Sequence, residues 1–126
     1  MDIDVLNLQR SIPVPIVAIK NTAAKAARKL KISLKELSIV FVGEARMRRI
    51  NREYLRHDYV TDVITFVHGE IIICPKVAQQ NALSHGAALE QELRLYVIHG
   101  LLHLAGFDDH APQDIKRMRQ WEEKLL

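Results

Sequence analysis

The feature that most constrains this chain is the run from Leu89 to Gly106. Its first half is amphipathic. From Leu95 to Phe107 apolar side chains recur almost all round: Leu95, Tyr96, Val97, Ile98, Leu101, Leu102 and Leu104. A soluble helix that is apolar on every side has to be surrounded, so this run predicts a buried central helix around which the other elements pack. Gly106 is a natural terminator. Within the helix stand His99 and His103, at i and i+4 and therefore one turn apart on one face. A single imidazole in an apolar helix is ordinarily a core group with both nitrogens satisfied. Two on one face are harder to satisfy, because each unpaired buried polar group costs about 1–3 kcal/mol. The spacing aims both rings at one point, as a metal site requires. Asp108, Asp109 and His110 follow Gly106, where a turn can fold them back towards that point.

The remaining segments alternate between two periods. Ile3 to Leu8 reads as a strand. From Pro15, which suits a first helical turn, Ile16, Ile19, Ala23, Ala26 and Leu30 recur at helical spacing. Leu37, Ile39 and Phe41 alternate, which predicts a strand over 36–42. Met47, Ile50 and Tyr54 predict a helix opened after Gly43. Val63–Val67 and Glu70–Cys74 are two β-rich runs about a tight hairpin at His68-Gly69. Pro75 begins a third helix that ends near Gly86. After Pro112, the stripe Ile115, Met118, Trp121 and Leu125 predicts a last helix packing back on the core. The order β-α-β-α-β-β-α-α-α implies an α+β fold with a small mixed sheet of about four strands packed with helices. There is no repeat, low-complexity tract or linker, so residues 1–126 form a single domain.

Composition excludes several classes. Hydrophobic residues at 48% and charged residues at 26% are the ordinary globular balance, which excludes wholesale disorder. A lone cysteine, Cys74, excludes a disulfide framework. No apolar run reaches the roughly 18 residues of a spanning helix, and no signal-peptide pattern opens the chain. The expectation is a cytoplasmic protein with no membrane partner. The net charge of +3 decides little, but its distribution is uneven. Lys20, Lys25, Arg28, Lys29, Lys31 and Lys35 have no acid among them, and Arg46, Arg48, Arg49, Arg52 and Arg56 are interrupted only by Glu53. Such local basic fields attract polyanions, although solvated helix faces carry similar runs.

The histidine helix invites comparison with the zinc peptidase pattern H-E-x-x-H-x-x-G-x-x-H. His99, His103 and Gly106 fall on its first, second and glycine positions, so the central helix is zincin-like in its metal spacing. Gly100 stands where the general-base glutamate belongs, which removes the group that would deprotonate a metal-bound water in a peptidase. The third-ligand position is Asp109, with His110 one residue later.

The longer run His99-Gly100-Leu101-Leu102-His103-Leu104-Ala105-Gly106-Phe107-Asp108 resembles the signature H-G-x-L-H-L-x-G-[YF]-D-H of the YbeY family of bacterial endoribonucleases. Thr61-Asp62-Val63-Ile64-Thr65-Phe66 resembles the family's P-T-D-V-L-S-F. Gly69-Glu70-Ile71 through Cys74-Pro75 resembles its G-D-I-x-I-x-P, and Ile50-Asn51 and Tyr54 match the run before those blocks. The resemblance implies one zinc ion per chain and a single-strand endoribonuclease of ribosomal RNA processing. In particular it implies 3′-end maturation of small-subunit ribosomal RNA and ribosome quality control. It implies precursor ribosomal RNA as partner, with ribosomal proteins or the small subunit nearby.

Applied residue by residue, the resemblance makes His99 and His103 metal ligands, with Asp109 or His110 as the third. The register favours Asp109, since the family's third histidine falls on that position. His110 offers the matching chemistry if the loop bulges. The family attributes catalysis to an arginine directly after the tyrosine matched by Tyr54. Here that position is Leu55, so Arg56 and Arg52 are the candidates, beside His99. Arg48, Arg49, Arg52, Thr61, Asp62 and Thr65 are the candidate substrate contacts. Two other readings stand beside this one: a non-catalytic ribosome-associated factor with a closed structural zinc, and a zincin-like peptidase.

Overall fold

The computed structural model describes residues 1–126. In chain order the elements are β1 (Asp2–Asn7), α1 (Ile16–Lys29), β2 (Glu36–Phe41), α2 (Glu44–Leu55), β3 (Val63–Phe66), β4 (Glu70–Ile73), α3 (Pro75–His85), α4 (Leu89–Leu104) and α5 (Pro112–Leu125). The four strands form one mixed sheet in the order β1-β2-β4-β3. β1, β2 and β4 run parallel, and β3 lies antiparallel to β4 with Thr65 opposite Ile71. The fold is therefore α+β with a four-stranded mixed sheet, as the alternation of periods implied.

The strand period of two sorts the core into two layers. On one face Leu37, Ile39, Phe41, Ile71 and Ile73 are buried against Ile19 and Ala23 of α1, Ala78 of α3, Leu93, Val97, Leu101 and Leu102 of α4, and Met118 of α5. On the other face Val40, Val42, Ile64, Ile72 and Cys74 meet Met47 of α2. Four helices thus cover one side of the sheet and one covers the other. Burying each of these large side chains stabilises the fold by roughly 1.5–3 kcal/mol, so the thicker layer carries most of the stability.

α4 lies at the centre of the thick layer. It packs so closely on the sheet that a Cβ at Gly100 would come within 2.8 Å of the Ile71 side chain. Residue 100 therefore faces the sheet and is buried, and glycine is what lets the helix approach. One strip of α4 is left free of the core: Leu95, His99 and His103, at successive i+4 steps, are only half-buried.

The hairpin differs from the sequence expectation. Its turn takes three residues, Val67, His68 and Gly69, because Phe66 pairs with Glu70. The Gly69 amide donates to the Phe66 carbonyl at 3.0 Å. Gly69 adopts φ 110°, and a Cβ there would sit 2.8 Å from the Glu36 carbonyl oxygen. Only glycine serves at such a site. Val67, expected in the strand, is instead almost fully exposed at the turn.

Candidate metal centre

The helix that carries the histidines ends in a Schellman motif. The Phe107 amide donates to the Leu102 carbonyl at 2.9 Å, and the Gly106 amide donates to the His103 carbonyl at 3.0 Å. Gly106 has φ 98°, the left-handed geometry this cap needs. The reversal has two consequences for the site. It points the Phe107 carbonyl back at His103 Nδ1, 3.2 Å away. It also returns the chain so that Asp109 Oδ2 lies 3.5 Å from His99 Nε2 and 3.4 Å from His103 Nε2. The two Nε2 atoms are 3.1 Å apart, with the rings edge to face.

The second nitrogen of each ring fixes its tautomer. His99 Nδ1 lies 2.6 Å from Glu122 Oε2 on α5. A carboxylate and a carbonyl can only accept, so both Nδ1 atoms carry the proton and both Nε2 atoms present lone pairs. With both rings neutral, two imidazole lone pairs and a carboxylate oxygen face one another at 3.1–3.5 Å. Three acceptors in that arrangement repel unless a metal ion, or a proton on one Nε2, lies between them. The donor set therefore fits a metal ion, and the carboxylate behind His99 is the support that metal-ligating histidines commonly have. Burial disfavours the charged form of His99. The hydrogen bond and charge of Glu122, aided by Asp109 and Asp62, outweigh it and hold the ring's pKa above the ordinary histidine value.

His110 is placed differently. Its side chain is 87% exposed, and its Nδ1 pairs with Asp108 Oδ1 at 2.5 Å. It reaches the rim of the cleft but is not grouped with His99 and His103. Asp108, Asp109 and His110 form a second close group in the exposed loop, and the two groups share Asp109.

The cluster opens into a cleft of about 870 Å³ between α4, α5 and the edge strand β3. Asp62 and Thr65 line it from the strand side. Asp62 is fixed by its own neighbours, its carboxylate accepting from the Val63 amide at 2.7 Å. Thr61 is not among the lining residues and spends its hydroxyl on Asp62 at 3.4 Å.

The arginines of α2 lie elsewhere. Leu55 is the residue of that helix that reaches the cleft. Arg48 donates to Asp58 at 2.8 Å, and Arg52 stands 3.8 Å from the same carboxylate. The Arg48 hydrogen bond holds the Asp58 carboxyl below the ordinary range. Arg49 is exposed on the same helix. α2 does end at Leu55, and Arg56 caps it in the left-handed conformation at φ 59°, outside the cleft lining.

Two cleft residues escaped the sequence reading. Glu122 stands on the apolar stripe of α5, one turn beyond Met118, and is buried there by the fold. Arg119, beside Met118, also lines the cleft.

A histidine pair on a buried helix, a returning carboxylate and an open cleft define an α+β domain with a candidate metal site. Comparison with known proteins narrows the class. The family model described as Endoribonuclease YbeY matches residues 5–126. The Endoribonuclease YbeY of Chlorobium luteolum is 45% identical over 98 residues, covering 72% of each chain. That of Aromatoleum aromaticum is 35% identical over 131 aligned positions, covering 96% of this chain and 85% of the relative. The solution structure of TM1509 from Thermotoga maritima superposes with a TM-score of 0.68 at 27% identity, covering 98% of this chain and 88% of that one. The chain belongs to the YbeY endoribonuclease family.

Proposed function

We propose that this protein is a zinc-dependent single-strand endoribonuclease of ribosomal RNA processing, acting in 3′-end maturation of small-subunit RNA and in ribosome quality control. The observation that carries the reading is the convergence of His99 Nε2, His103 Nε2 and Asp109 Oδ2, within a chain of this family. Tetrahedral zinc with nitrogen and oxygen ligands at 2.0–2.2 Å separates its ligands by about 3.3–3.6 Å. The separations of 3.4 and 3.5 Å fall within that range, and the 3.1 Å between the two imidazoles lies just below it. When bound, zinc supplies a polarised phosphoryl oxygen and a bound water of lowered pKa.

The chain's own residues do the rest. His99 and His103 hold the ion, with Glu122 fixing the tautomer and orientation of His99. Asp109 would complete the set, beside the cleft. Asp62 and Thr65 face that opening and contact the RNA from the strand side. The exposed arginines of α2, Arg48, Arg49, Arg52 and Arg56, contribute attraction for phosphate from outside the cleft.

A closed structural zinc needs a fourth protein ligand, and the paired, exposed His110 does not supply one in this loop conformation. A peptidase needs a general base after the first histidine, and residue 100 is a glycine pressed on Ile71. The test is cleavage of single-stranded RNA and of peptides, with chelator and with zinc returned. The reading expects RNA to be cut, chelator to stop cutting, zinc to restore it and peptides to survive. Peptide cleavage, or RNA left intact by zinc-loaded protein, would contradict it.

A further inference from the structure

The cleft carries three carboxylates, Asp62, Asp109 and Glu122, and a single arginine, Arg119. We infer that Arg119 is the cleft's phosphate-binding residue, the group that grips the RNA backbone beside the metal centre. The inference rests on the nuclease reading above and names a contact within that same site.

Position is the first ground. Ile115, Met118, Arg119 and Glu122 follow one another at i, i+3, i+4 and i+7 along α5, and all four line the cleft. They form one helical face, so the stripe that seats Glu122 behind His99 also directs residue 119 to the same opening.

Availability is the second. Arg117 lies over the Phe107 ring at 4.6 Å, and Lys124 lies over the Trp121 ring at 4.5 Å. Arg48 and Arg52 are engaged by Asp58. Arg119 is exposed and enters none of the chain's ion pairs or side-chain hydrogen bonds, which leaves all five of its donors for a ligand. A guanidinium fork presents two parallel N–H groups to phosphate oxygens, a geometry a lysine cannot match.

Charge is the third. Three carboxylates against one divalent ion leave a net negative charge in the cleft. A phosphodiester entering it would meet repulsion. Arg119 brings the formal balance to zero, and it does so on the cleft wall where no other lining residue is permanently cationic. On the side of α2, the wall offers Leu55, which cannot contribute charge.

The experiment compares wild type, Arg119→Gln and Arg119→Lys as zinc-loaded proteins, with an unstructured oligoribonucleotide as probe. It reads cleavage kinetics, the salt dependence of RNA binding and zinc content. Each phosphate neutralised on a single strand contributes about 0.7 to the slope of log affinity against log salt. Arg119→Gln is expected to lower kcat/KM by about 10–100-fold and to reduce that slope by about 0.7, with zinc content unchanged. Arg119→Lys is expected to retain the slope and recover part of the rate. An unchanged slope and unchanged kcat/KM in Arg119→Gln would overturn the inference. So would loss of zinc in step with activity, which would make the residue a support of the metal site. Wild-type protein that is zinc-loaded yet neither binds nor cuts the probe would instead defeat the nuclease reading, and the inference with it.

Discussion

At the scale of single residues, the site is decided by what each histidine nitrogen faces. The third ligand follows from the same accounting. Asp109 sits within 3.5 Å of both Nε2 atoms, whereas His110 is turned to solvent and held by Asp108. We expect Asp109→Asn to cost far more metal affinity than His110→Gln, by at least about tenfold, when zinc is titrated against a competing chelator. The reverse order would mean that the loop rearranges to bring His110 in. Glu122 is the second residue whose worth is measurable this way. Replacing it by Gln keeps the volume and removes the charge behind His99. The expected loss of zinc affinity is about 10–100-fold with the fold intact by circular dichroism. Undiminished affinity would show that His99 needs no anionic partner.

At the scale of elements, α4 explains why so much could be read from the chain alone. The all-round apolar run, the i, i+4 histidines and the terminating Gly106 are local signals, and the helix they predicted spans Leu89–Leu104. Strand periods at Leu37, Ile39 and Phe41, and the prolines at 75 and 112, marked other elements to within a residue or two. What sequence could not give was the docking of one element on another. Glu122 is a lone carboxylate on an apolar stripe until α5 is seated against α4. The α2 arginines form a continuous run in sequence, yet only the fold shows that Asp58, beyond the helix end, engages two of them and that Leu55 takes the cleft-facing position. The hairpin turn took a third residue because the strand register pairs Phe66 with Glu70, a choice that Val67's apolar side chain did not signal. Gly100 turns the element-scale account into a prediction. Alanine there has to displace Ile71, and overpacking of this kind destabilises by about 1–3 kcal/mol. Chemical denaturation should register that loss, and an unaltered midpoint would mean that α4 can lift from the sheet without cost.

At the scale of the whole molecule, the protein is a basic surface around a cleft that is locally acidic. The lysines of α1 and the arginines of α2 lie outside the cleft lining and supply the long-range field. The Arg48 hydrogen bond keeps the Asp58 carboxyl ionised to lower pH than usual, so the pair persists and part of that field is neutralised. Asp58→Asn should therefore tighten binding of single-stranded RNA severalfold at low salt, and the gain should fade as salt is raised. Equal affinity of the two proteins at low salt would mean that the α2 arginines take no part in RNA binding.

The proposed function rests on one zinc ion, held by His99, His103 and Asp109, as the group on which RNA cutting in this cleft depends. The most direct measurement is a chelator titration in which zinc content and single-turnover RNA cleavage are read on the same samples. The claim predicts that cleavage falls in proportion to zinc, reaches zero with the metal gone, and extrapolates to one ion per chain at full activity. Undiminished cleavage by metal-free protein would contradict it.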